Sequence, residues 1–159
     1  MTDPKTIQYL WRYMAHADQQ IAQAATTVSD DAYRRDQQIS FGSIEKLLAH
    51  AIAAQSVWLR RLQGNDQPYA DIAPPPRDQL AQRWADVHTT LLAFADAQTP
   101  TTLAQSVSFH NRAGHAFERP RGLLMLHVAD HATYHRGQLN SMIKLAGGTP
   151  TPVMLYTYT

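Results

Sequence analysis

The chain has 159 residues, 44% of them hydrophobic, and a formal net charge of +1. That is one domain of ordinary size, able to bury about two thirds of its unfolded surface without a disulfide or a structural metal. Its two charge signs are interspersed, so no basic face is offered to nucleic acid, and no apolar run approaches the ~20 residues of a membrane span.

Cysteine is absent, which removes disulfides, thiolate ligands and a cysteine nucleophile together. Met1 to Gln8 carry no basic run followed by an apolar stretch, so no signal peptide is visible and a cytoplasmic location is expected.

Four segments have helical periodicity. The first runs from about Lys5 to Thr27, with Ile7, Leu10, Trp11, Met14, Ile21 and Ala25 as its apolar stripe. Thr2 or Asp3 suits its N-cap, with Pro4 at the first helical position. Residues 28–42 read as a polar connection. The second segment, about Ser43 to Leu62, starts at Ser40 or Ser43 and has Glu45 opposing the helix dipole. Its buried face is Ile44, Leu47, Leu48, Ala51, Ala54, Val57, Trp58 and Leu62, and Gly64-Asn65 stops it. Pro74-Pro75-Pro76 is a stiff linker.

The third segment covers about Arg77 to Gln98, with Leu80, Trp84, Val87, Leu91 and Phe94 or Ala95 repeating, and Pro100 ends it. Residues 101–119 alternate weakly, which fits a short hairpin or an ordered loop. The fourth segment, about Arg121 to Ala146, puts Leu124, Val128, His131, His135, Leu139, Met142 and Leu145 on one face, before the cap at Gly147-Gly148. The tail from Thr149 to Thr159 reads as an extended strap. Four amphipathic helices of ~20 residues without a convincing strand set predict an all-α four-helix bundle over residues 1–159.

Eight histidines are present, and His127, His131 and His135 fall at i, i+4 and i+8 of the last segment. Helical neighbours at i and i+4 have Cβ atoms ~5–6 Å apart, so two such imidazoles can converge on one ion at ~2.0–2.1 Å. His127 and His135 are ~12 Å apart along the axis. A single ion therefore takes His127 with His131 or His131 with His135. The third ligand must come from another helix. His50 lies mid-helix on the inward stripe of the second segment, and bundle neighbours sit ~8–10 Å apart. His16 and His88 are the reserves; His110 and His115 carry no expected task. A buried imidazole is often only a hydrogen-bonded core residue, but several without partners cost free energy.

Gly137 inside the last helix costs ~1 kcal/mol relative to alanine, so close approach of another backbone is expected there. Gln138 is expected to hydrogen-bond across the core.

His131-Ala-Thr-Tyr-His135-Arg136-Gly137-Gln138, preceded by Leu126-His127, resembles the signature of the DinB/YfiT-like family of proposed metalloenzymes. Ser40-Phe-Gly-Ser-Ile-Glu-Lys-Leu-Leu-Ala-His50, with Trp58-Leu59 and Arg61-Leu62-Gln-Gly64, resembles its second-helix pattern. Tyr13-Met-Ala-His-Ala17-Asp-Gln-Gln-Ile21 resembles the first-helix pattern, which usually has asparagine where Asp18 stands. The resemblance spans nearly the whole chain. It implies an up-down-down-up bundle, often a homodimer, with a metal triad falling on His50, His131 and His135. Val153-Met154-Leu155 departs from a family aspartate in the tail. The family name does not imply DNA binding.

Three neutral nitrogen ligands leave a coordination position open, the arrangement of catalytic sites. Imidazole suits zinc or nickel first, with iron or manganese behind. Relatives of this kind include thiol S-transferases and thiol-dependent isomerases, so the first expectation is an S-transferase using a low-molecular-weight thiol, or a metal-dependent hydrolase. Tyr134, Asp130 and Arg136 are the nearest polar groups. The alternative is a non-enzymatic, stress-responsive metal binder or dimeric interaction module. Glu-x-x-His pairs, His-Glu-x-x-His and a phosphate loop are absent.

Overall fold

The first helix, α1 (Pro4–Ala25), begins where the Asp3 carboxylate accepts the N–H of Thr6, with Pro4 at the first helical position. This comes from a computed structural model that describes residues 3–68 and 72–159; Thr2, the other cap candidate, lies outside them. The polar connection that follows contains a short helix, α2 (Asp30–Arg34), capped by Ser29. α3 (Ile44–Leu62) is capped by Ser43, whose hydroxyl accepts the N–H of Lys46. Ser40, the alternative cap, instead has a φ of 51° in the preceding turn.

A 3-10 turn, Arg77–Gln79, leads into α4 (Leu80–Asp96), so the third predicted helix is α-helical over a shorter span. Pro100 does not close that helix; it opens α5 (Pro100–Ala104), where Thr99 and Thr102 form a capping box. The weakly alternating stretch is a hairpin. Its strands β1 (Ser106–His110) and β2 (Ala116–Pro120) pair antiparallel, with Phe109 opposite Phe117. α6 (Arg121–Leu145) then runs the length of the molecule.

α1 packs against α4 and α6, and α3 against α6 and α4. Cross-contacts set the directions. Arg12 pairs with Asp96, and Arg77 donates to Ala25 O at 2.7 Å, so α1 and α4 are antiparallel. Trp11 Nε1 donates to Met125 O at 3.0 Å, and Gly148 abuts Val28, so α1 and α6 are parallel. His50 faces His135 while Trp58 faces His127, so α3 is antiparallel to α6.

The core has two apolar clusters. One gathers Ile21, Leu48, Trp84 and Met142; the other gathers Trp11, Leu62, Leu91 and Val128. A buried polar layer of Asp18, Gln55, His88 and Arg136 lies between them along every long helix. The tail straps α1 and α6. Tyr9 and Tyr13 hydroxyls donate to Tyr158 O at 2.6 Å and Val153 O at 3.0 Å, and Asn140 exchanges hydrogen bonds with the Thr151 backbone at 2.7 and 3.0 Å.

Three expectations for α6 need correction. Leu145 is 72% exposed, because six residues past Leu139 is about 120° off the stripe at 3.6 residues per turn. Nothing approaches Gly137, which faces solvent. Gln138 bonds within its own helix rather than across the core. Among the described residues, no helix is long and apolar enough to cross a membrane.

Candidate metal centre

His131 and His135 stand one turn apart on α6, and their Nε2 atoms approach to 3.2 Å. Two nitrogens at ~2.0–2.1 Å from one tetrahedral ion would lie ~3.3 Å apart. His50 arrives from α3, its ring centroid 4.8 Å from that of His135 and 5.9 Å from that of His131. One ligand atom from each of the three lies within 4.8 Å of the others. The helix directions make this possible: on antiparallel neighbours, residue 50 meets the turn that bears residues 131 and 135.

Hydrogen bonding selects the tautomer of His135. Its Nδ1 is 2.7 Å from Gln138 Oε1, an acceptor, so the ring proton sits on Nδ1 and the Nε2 lone pair faces His131. Gln138 Nε2 in turn donates to the Tyr134 hydroxyl at 3.1 Å. Fixing a ring through its second nitrogen is how ligand histidines are usually held.

Burial sets the charge state. It pushes the His131 pKa down from 6.5 to about 4, helped by the neighbouring rings of His135, His127 and His50. Burial also lowers that of His135, against the Gln138 hydrogen bond, which favours the cation. Both rings are therefore neutral near pH 7, with lone pairs available to a cation. Neutral imidazoles crowded at 3.2 Å, with one proton anchored elsewhere, form a donor set that a divalent ion fits.

Phe41 completes the site and was not foreseen. Its ring stacks on His50 at 4.1 Å and meets His135 edge-on at 5.8 Å. It hangs from an irregular turn in which Gln38, Ser40 and Gly42 all have positive φ, so no periodicity pointed to it. The available signal was an aromatic beside Gly42, close to Ile39, near the end of a mainly polar linker.

The other candidates separate. His127 is exposed and packs against Trp58, 4.8 Å between centroids, outside the triad. His16 lies against Tyr158, and His110 pairs with Asp66 at 2.7 Å. His88 is buried and faces Asp18 at 3.1 Å. Arg136 turns away from the triad: Nη1 donates to Asp18 Oδ1 at 2.8 Å and Nη2 to Thr133 Oγ1 at 2.7 Å. Asp130 is exposed on the helix surface. Gln55 Nε2 donates to Asp18 Oδ2 at 2.6 Å, and Trp84 Nε1 to Gln55 Oε1 at 2.9 Å. A void of about 10 Å³ separates this polar layer from the rings of His131 and His135, about the room one water needs.

Comparison with known proteins agrees with this architecture. The chain is 25% identical over 158 residues to Protein DinB of Bacillus subtilis strain 168, covering 94% of this chain and 92% of that protein. The crystal structure of a DinB-like protein from Bacillus cereus ATCC 10987 matches with a TM-score of 0.68 at 20% identity, covering 91% of this chain and 93% of that one. The model of the DinB family matches residues 1–159, and the chain belongs to that family.

Proposed function

We propose that this protein is a metal-dependent enzyme whose single divalent ion is held by His50, His131 and His135. The observation that carries the reading is the 3.2 Å approach of two Nε2 atoms beside a third imidazole. Without an ion the two nitrogens share a single N–H···N hydrogen bond; around a cation both, with His50, can present lone pairs as a coordination shell. Zinc or nickel is the favoured occupant, ahead of iron or manganese.

The reaction class we favour is transfer of a low-molecular-weight thiol to a small electrophile, with metal-dependent hydrolysis as its nearest variant. When bound, the ion would supply Lewis acidity, lowering the pKa of a thiol or water in the position the three histidines leave open. The chain's own residues prepare that position. His135 is held by Gln138, the His50 ring is held against Phe41, and a cleft bordered by His50 and His131 gives access. Burial disfavours the protonated forms of His131 and His135. We place the enzyme in the cytoplasm, as a homodimer acting on a small molecule.

The test is elemental analysis of protein purified without a histidine tag, followed by thiol-conjugation and hydrolase assays. About one equivalent of a divalent ion, lost in H131A and H135A together with activity, is expected. Stoichiometric metal with no turnover in either assay class would favour a binding protein instead. No metal at any stoichiometry would remove the proposal.

A further inference from the structure

We infer that the void between Asp18 and the imidazoles takes one ordered water, through which the buried Asp18 carboxylate positions His131 as a ligand. This rests on the reading of the triad as a metal site and makes Asp18 a positioning residue for it.

The two α6 ligands are not equally held. His135 Nδ1 is fixed by Gln138 at 2.7 Å. His131 bonds through Nε2 to His135 at 3.2 Å, and among the described residues its Nδ1 has no hydrogen-bond partner. An uncharged imidazole that gives Nε2 to an ion carries its proton on Nδ1. Ligand histidines pass that proton's hydrogen bond to a carboxylate, a carbonyl or a water. The fold gives His131 none of these directly from its own side chains.

The void provides the place. Its walls include the His131 ring, Asp18, Gln55, Arg136 and the small side chains of Ala51 and Ala132. At about 10 Å³ it has room for one water, and the wall offers that water several polar partners. Asp18 is 1% exposed. Its Oδ2 is met by Gln55 at 2.6 Å and His88 at 3.1 Å, while Oδ1 is met by Arg136 at 2.8 Å, which leaves Oδ1 a lone pair for a further donor.

A water suits this position better than a direct carboxylate contact. In the ion-free ring Nε2 donates to His135 and Nδ1 is an acceptor; with Nε2 on an ion, Nδ1 is a donor. Water serves both states, whereas a carboxylate only accepts. The inference also gives the polar layer a task. A buried ion pair such as Asp18–Arg136 seldom adds stability over an apolar replacement, but it can hold one oxygen facing a ligand.

The experiment uses the full chain, without a histidine tag, loaded with zinc and labelled with nitrogen-15. The His131 ring is expected to be bound at Nε2, with an Nδ1 proton that exchanges slowly and shows a cross-peak to a bound water. Zinc affinity is measured by chelator competition in A51V, which fills the void, in D18N, which removes the charge, and in the double variant. A51V should weaken zinc by roughly tenfold, the lower end for loss of a ligand's outer partner, and D18N by less. In the A51V background D18N should add nothing, because the route is already cut; a merely structural loss would add in both. Circular dichroism checks that the variants fold, and if they do not, the proton measurement on the unmodified chain decides alone. Rapid exchange of the Nδ1 proton, coordination through Nδ1, unchanged affinity in A51V, or an additive double variant overturns the inference and leaves the triad standing. Failure to bind zinc at all strikes the triad itself, and the inference with it.

Discussion

Asp18 receives hydrogen bonds from Arg136, Gln55 and His88 while only 1% exposed. Removing one side of such a pair strands the other charge in the core, so D18A should lose ~3–5 kcal/mol in urea unfolding, and pairing it with R136M should recover much of that loss. A D18A loss below ~1 kcal/mol would show that water reaches Arg136 easily. The position was legible: Trp11, Met14, Asp18, Ile21 and Ala25 follow a heptad stripe, and a charge on that stripe demands a partner. Which partner was not legible, because Arg136 sits 118 residues away. His131 gives a pH signature. Its folded pKa of about 4 lies below the ordinary 6.5, so between those values the unfolded chain binds more protons than the folded one. Metal-free protein should therefore hold this contribution fully above about pH 6.5 and lose up to ~3 kcal/mol as acid takes it down to about pH 4. Melting temperatures across that range, compared with H131A, measure it; parallel curves would contradict it.

At the scale of elements, two glycines of the α6 region make opposite predictions. Gly137 is mid-helix, and a Cβ there would meet nothing within 4 Å. G137A should raise stability by ~1 kcal/mol, or a few degrees in melting temperature. At Gly148 an added Cβ would lie 2.5 Å from Val28 Cγ1 and 2.8 Å from Thr27 Oγ1, so G148A should destabilise by ~1–3 kcal/mol through overpacking where the tail leaves α6. Thermal melts of the pair, with wild type between them, check both signs. The four long helices were readable because each repeats its apolar period over several turns. α2 and α5 have five residues apiece, too few for a period, and depend on caps at Ser29 and Thr99. Pro100 read as a stop is the same chemistry seen from the wrong side: proline ends one helix as readily as it opens the next.

For the molecule as a whole, the bundle is held by two apolar clusters and the buried Asp18–Arg136 pair, none of which needs an ion to form. Chelation should therefore leave helical circular dichroism intact and lower the melting temperature only by the binding free energy. Unfolding on chelation would instead mark a structural ion. Spacing left His131 with either His127 or His135, the family resemblance pointed to His135, and His50 was reachable from helix geometry. The aromatic neighbour and the cleft were not, because they come from a linker and a hairpin whose placement only the assembled fold decides. That division of labour has a consequence. The imidazoles ride on rigid helices, whereas Arg112 is carried by a surface turn of five residues pinned through Asn111. Substitutions in such a turn disturb neither the helix ladders nor the packed interior. Changes in that turn can therefore reshape the mouth of the cleft that Arg112 lines beside His50 and His131, while the helices keep the three imidazoles where they are.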